Sequence, residues 1–259
     1  MRLFDTHAHF TDKSDVNGLL VRAAEAGVVR VLAVGGSREL NRNALRTPCP
    51  IALGWDRDQL EADNAAFAEL KKLVEDNAQR VAAIGEIGLD FHYSPESAST
   101  QMDLFARELS FADRLGLPVV IHTREADAAT LEVIDAVPWS HASRLRGVIH
   151  SYTGGPDFAG KLLDRGFAIS FSGIVTFRSA DLVRASARFV PDDRILVETD
   201  TPYLAPVPLR GHQCEPAYVV HTAKCVASER KTDFATFAEL TFANSERVFG
   251  LGVMSGSVE

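Results

Sequence analysis

The sequence is poor in cysteine, in basic residues and in long apolar runs, and each shortage narrows what the chain can be. Its 3 cysteines, Cys49, Cys214 and Cys225, lie far apart and form no C-x-x-C pair. That argues against a disulfide scaffold and a thiolate metal site, and fits a reducing compartment. No stretch approaches the roughly 18 to 20 consecutive apolar residues of a membrane span. Asp5, His7 and His9 interrupt the N-terminus where a signal peptide would carry its apolar segment. A cytoplasmic protein with no membrane and no obligate protein partner is therefore expected. Lys and Arg total 27 against 35 Asp and Glu, a formal charge of -8, which gives no broad attraction for nucleic acid. A nucleic-acid enzyme stays possible, because clustered carboxylates can bind cations that meet phosphates locally. Also missing are a G-x-G-x-x-G after the first strand, a P-loop, a G-x-S-x-G, and a cysteine beside a plausible base. Dinucleotide binding and serine or cysteine nucleophiles have no footing here.

What is present is a nearly unbroken alternation of short β-branched runs and amphipathic stretches. Of the 259 residues 46% are hydrophobic, enough for a substantial core. Strands are predicted at the N-terminus, where Leu3 and Phe4 begin a buried run, then over residues 28–34, 50–54, 81–88, 117–122, 147–150, 167–171 and 195–200. Helical spacing follows most of them, as in Phe67, Leu70, Leu73 and Val74, or Met102, Phe105, Leu109 and Ala112. Gly27 and Gly166 stop helices, and Pro156 opens one where its missing N–H costs nothing. Two further helices are predicted over 216–228 and 234–249. Eight strands with intervening helices at this length indicate a single (β/α)8 TIM barrel over residues 1–259, an α/β fold with C-terminal helices. A doubly wound open sheet is the alternative.

The chemistry-bearing residues gather at the C-terminal ends of those strands. Asp5, His7 and His9 alternate on the first strand and are expected to share one face. Glu86 ends the fourth, His122 the fifth, His150 the sixth and Asp200 the eighth. In a closed barrel these ends converge on one mouth. Four histidines and two carboxylates exceed what one tetrahedral zinc needs, so two metal ions sharing a bridging carboxylate is the economical reading. Two ions about 3.5 to 4 Å apart can serve both the attacking and the leaving oxygen of a hydrolysis. Asp5, two residues deeper than His7, fits a supporting role better than direct ligation.

The sequence here resembles the TatD family of metal-dependent deoxyribonucleases, among the amidohydrolase-like barrels. The matching stretches include Phe4-Asp5-Thr6-His7-Ala8-His9, Gly85-Glu86-Ile87-Gly88-Leu89-Asp90, Val119-Val120-Ile121-His122-Thr123-Arg124, His150-Ser151-Tyr152 and Glu198-Thr199-Asp200-Thr201-Pro202. They run in order nearly end to end. The resemblance implies phosphodiester hydrolysis on DNA with two divalent ions, Mg2+ or Mn2+, although histidine-rich sites also accept Zn2+. It implies that His7, His9, Glu86 and Asp200 hold one ion, that His122 and His150 hold the other with Glu86 bridging, and that Asp200 and Glu86 are the catalytic pair. The sequence departs from the family pattern at Gly54-Trp55-Asp56, where His-Pro is common, at Cys214-Glu215-Pro216, and at Ser151-Tyr152. None removes an expected ligand.

Around this set, Asp90 and His92 are candidates to orient a phosphate, although Gly88 suggests the strand ends before them. Arg124 and Arg210 are candidate phosphate clamps. The alternative function is an amide, ester or lactone hydrolase acting on a small substrate through the same metals.

Overall fold

The β-branched runs pair side by side in chain order into one parallel sheet. In the computed structural model, residues 1–140 and 145–251 are described. The strands are β1 (Leu3–Ala8), β2 (Val28–Gly36), β3 (Ile51–Trp55), β4 (Val81–Asp90), β5 (Val119–Arg124), β6 (Gly147–Ile149), β7 (Phe167–Phe171) and β8 (Ile195–Val197). Their order is β1-β2-β3-β4-β5-β6-β7-β8. Residues just past β8 close the ring on β1. Asp200 donates its N–H to His7 O at 3.0 Å, and His9 donates to Thr201 O at 2.8 Å. The chain is thus the (β/α)8 TIM barrel the sequence predicts.

Helices fill the crossovers: α1 (Val16–Glu25), α2 (Arg38–Arg46), α3 (Asn64–Asp76), α4 (Ala98–Leu115), α5 (Asp127–Ala136), α6 (Pro156–Asp164), α7 (Asp181–Phe189), α8 (Val219–Glu229) and α9 (Phe234–Phe249). Carboxylates start several of them. Asp15, Asp63 and Asp233 each accept an N–H of the first turn of α1, α3 and α9. Gly116 and Gly250 end α4 and α9 in the left-handed conformation that suits glycine.

The alternation of β-strand side chains sorts the core into two layers. Leu3, Ile51, Ile84, Ile121, Ile149, Ile169 and Val197 face outward and pack under the helices. Phe4, Val34, Ala52, Ala83, Val120, Val148, Ala168 and Leu196 fill the barrel itself, together with Phe242, Val248 and Phe249 of α9. Phe4 lies 5.9 Å from the Phe249 ring and 6.4 Å from Phe242, centroid to centroid. A C-terminal helix therefore plugs the N-terminal end of the barrel and leaves the opposite end open for chemistry.

Three local expectations change. α2 was not predicted, because only Leu40, Ala44 and Leu45 are apolar in its 9 residues. Its buried Asn41 instead ties β2 to β3, accepting from the N–H groups of Gly36 at 3.2 Å and Gly54 at 3.3 Å. β4 does not end at Gly88 but runs on to Asp90. Gly88 pairs with His122 at φ +127, and a Cβ there would lie 2.0 Å from His122 O, so only glycine permits the approach. Finally, β1 does not alternate strictly. Its register shifts between Asp5 and Ala8. Asp5 therefore leaves the face of His7 and His9 and binds the segment after β8.

Candidate metal centre

All six residues predicted at strand ends meet at the C-terminal mouth, and Glu86 is their hub. One carboxylate oxygen, Oε2, lies 3.5 Å from His7 Nε2 and 3.2 Å from His9 Nε2. The other, Oε1, lies 3.3 Å from His150 Nε2 and 3.4 Å from His122 Nδ1. Asp200 Oδ1 stands 3.9 Å from both His7 Nε2 and His9 Nε2. Three overlapping groups bring their donor atoms within 4.8 Å of one another: His7, His9 and Glu86; Glu86, His122 and His150; and His7, His150 and Asp200. Any of the three can hold a divalent ion.

Three of the four rings are aimed by partners on their far sides, as in metal sites generally, whereas His7 Nδ1 is buried without a hydrogen-bond partner. His9 uses Nδ1 on Val34 O at 2.9 Å, which leaves Nε2 facing Glu86. His150 Nδ1 meets Glu198 Oε1 at 3.2 Å, and that oxygen also accepts the Ser151 N–H at 2.7 Å. His122 Nε2 meets Asp90 Oδ2 at 3.2 Å. His7 stacks on His150 with ring centroids 3.9 Å apart. Asp5 accepts the N–H and hydroxyl of Thr199 at 2.8 and 2.6 Å, and the His7 N–H at 3.4 Å. It thereby locks the residue before Asp200 to the strand that carries His7. Asp200 and Ser151 take positive φ values of 63° and 43°, a strained conformation of the kind that clusters at working sites.

The electrostatics suit cation binding. Burial, helped by neighbouring His150, drives the His7 imidazole down to about 3, so it offers a lone pair. Burial pushes Glu86 up, but His150, His7 and His9 outweigh it and hold the carboxyl well below the usual range. Asp200 goes the other way: burial raises it to about 7 despite His150 and His9. Burial also carries Asp5 to about 8, against the hydrogen bonds from Thr199.

The residues predicted to meet substrate are dispersed. Asp90 is buried against His122 and also accepts the N–H groups of His92 and Tyr93, so it supports the ring rather than facing an open mouth. His92 sits on the rim, its Nδ1 2.7 Å from Glu125 Oε1. The Arg124 guanidinium lies over the Tyr93 ring, 4.9 Å from its centroid, and that of Arg210 over Phe177 at 3.8 Å. Neither touches the carboxylate cluster. Two charged residues that the sequence did not single out do. Glu198 orients His150, and Arg57, from the turn after β3, reaches Glu86 Oε1 at 3.0 Å.

A closed (β/α)8 barrel whose mouth gathers four histidines around one carboxylate defines the class of metal-dependent hydrolase barrels. Comparison with known proteins sharpens this. The TatD related DNase family matches residues 4–250, and the chain belongs to that family. It is 38% identical to the uncharacterized metal-dependent hydrolase YcfH of Escherichia coli K12, with 96% of each chain covered. It is 32% identical to the 3'-5' ssDNA/RNA exonuclease TatD of Musicola paradisiaca, over 96% of this chain and 98% of that one. The crystal structure of YjjV, a TatD homologue from Escherichia coli, superposes with a TM-score of 0.87 at 26% identity, over 97% of this chain and 99% of that one.

Proposed function

We propose that this TatD-type metal-dependent hydrolase cleaves the phosphodiester bonds of DNA at a two-metal site. The observation that carries the reading is Glu86, whose two oxygens each face a different pair of histidines. His7, His9, Glu86 and Asp200 would hold one ion, and His122, His150 and Glu86 would hold the second. Mg2+ or Mn2+ are the proposed ions, and the four imidazoles also suit Zn2+. When bound, such ions acidify water and neutralise charge building on a phosphate.

The protein's own residues do the rest. Asp200, whose carboxylate stands 3.9 Å from His7 and His9, would take the proton of the attacking water. The water oxygen would bond to phosphorus as the bond to the leaving oxygen breaks, and the proton taken by Asp200 would pass to that oxygen. Glu198 and Asp90 keep the His150 and His122 rings aimed, and Asp5 keeps Asp200 in register with His7. The relative named as a single-strand exonuclease supports nucleic acid as the substrate. Three free thiols suit the cytoplasm, and among the described residues no helix is long and apolar enough to cross a membrane.

Asp200→Ala should abolish cleavage of single-stranded DNA by the metal-loaded protein while its circular dichroism stays that of the wild type. Wild-type activity on small esters that ignores added DNA competitor would favour the amide or ester hydrolase instead.

A further inference from the structure

The turn after β3 places a cation directly on the hub carboxylate. Arg57 Nη1 lies 3.0 Å from Glu86 Oε1, the oxygen that also faces His122 and His150. The turn is fixed on both sides. Trp55 donates its N–H to the buried Glu108 Oε1 at 2.7 Å, and Asp56 donates to Gly36 O at 2.6 Å. Asp56 Oδ1 then accepts the Asp58 N–H at 2.9 Å and closes the turn around Arg57. The arginine side chain is 24% exposed, and its Nη1 rests on Glu86.

A guanidinium carries five N–H donors in a rigid fork, and the contact with Glu86 engages one edge. Arg57 Nε lies 3.7 Å from Asp58 Oδ2, so the N–H groups turned toward neither Glu86 nor Asp58 are the ones that can meet an anion arriving at the mouth. Arg124 and Arg210 are stacked on Tyr93 and Phe177, away from the cluster.

We propose that Arg57 is a substrate-binding residue: held in place by Glu86, its guanidinium donates to a non-bridging oxygen of the phosphodiester and seats that group beside the metal-ligand cluster. The proposal rests on the phosphodiesterase reading above. A charge-assisted pair of this kind sets substrate affinity and adds one phosphate contact to the salt dependence of binding.

The test uses the full-length, metal-loaded protein as wild type, Arg57→Gln and Arg57→Lys. Metal content is measured by elemental analysis. Binding of a phosphorothioate-linked single-stranded oligonucleotide is followed by anisotropy across a salt series, and cleavage of the unmodified strand gives KM and kcat. In Arg57→Gln the metal content should hold and KM should rise roughly ten- to a hundredfold with a smaller change in kcat. The slope of log affinity against log salt should shrink by about 0.7 to 1. Arg57→Lys should recover the slope, because it keeps the charge, but only part of KM, because it lacks the fork. Loss of metal in Arg57→Gln, or a KM and salt slope equal to wild type, would overturn the proposal. A wild type that neither cleaves nor binds the strand would overturn the phosphodiesterase reading with it, and that result is distinct from an active wild type matched by Arg57→Gln.

Discussion

Replacing Glu86 by glutamine probes the shared-carboxylate arrangement with almost no change in shape. The wild-type carboxylate offers Oε2 to His7 and His9 at 3.5 and 3.2 Å, and Oε1 to His150 and His122 at 3.3 and 3.4 Å. Glutamine keeps one acceptor oxygen and turns the other into an N–H2 donor, which cannot ligate a cation. One histidine pair must therefore lose its carboxylate, and the other is left with a neutral oxygen. Disturbing even an outer partner of a metal ligand typically costs about 10- to 100-fold in affinity. Weakening both pairs together should thus lower metal affinity by at least about 100-fold, close to 3 kcal/mol. The variant also leaves Arg57 facing an amide instead of a charge. The assay is isothermal titration of metal-stripped protein with Mn2+, with elemental analysis after dialysis. Wild type should take up more than one ion per chain, and Glu86→Gln should stay largely unloaded at the concentration that just saturates wild type. A Glu86→Gln protein with unchanged stoichiometry and affinity would refute the reasoning, because the two histidine pairs would not then depend on a common carboxylate.

Two further outcomes follow from single contacts. Glu198→Gln removes the charge that meets His150 Nδ1 at 3.2 Å, and should lower metal affinity about 10- to 100-fold in the same titration without unfolding the barrel. Glu108 is held well above the usual carboxylate range by burial, with nearby Asp56 adding to the effect. Its folded form binds the proton more tightly than the unfolded chain, so its contribution is complete below the ordinary carboxyl value and is lost as pH rises toward the folded one. Over that window the loss runs at up to about 1.4 kcal/mol per pH unit. Glu108→Gln keeps an acceptor for the Trp55 N–H, so it should gain thermal stability over wild type at pH 8 and none at pH 4; equal melting curves at both would count against it.

Most of the site could be read from the chain because a barrel converts strand-end position into spatial proximity. Glu86, His122 and His150 each follow a run of β-branched or small apolar residues, His7 and Asp200 close predicted strands, and eight strands closed into a ring leave few places for those ends to go. Residues that act across the ring were harder. Glu198 sits inside the Val197-Glu198-Thr199-Asp200 stretch and contacts His150 across β7, which stands between β6 and β8 in the sheet. Arg57 lies in a turn with no periodicity, among acids that make it look like an ordinary surface charge. β4 passes through Gly88 because its backbone must clear His122 O, a constraint that a one-dimensional reading takes for a strand end. The bulge in β1 that takes Asp5 from the shared face depends on pairing with β2, and the polar pattern of α2 hides a helix held by Asn41.

The most direct test of the account is cleavage of a labelled single-stranded DNA oligonucleotide by purified wild-type protein, metal-stripped and then reloaded with Mg2+ or Mn2+. Stripping should abolish cleavage and reloading should restore it; a metal-loaded protein that leaves the strand intact would overturn the phosphodiesterase reading.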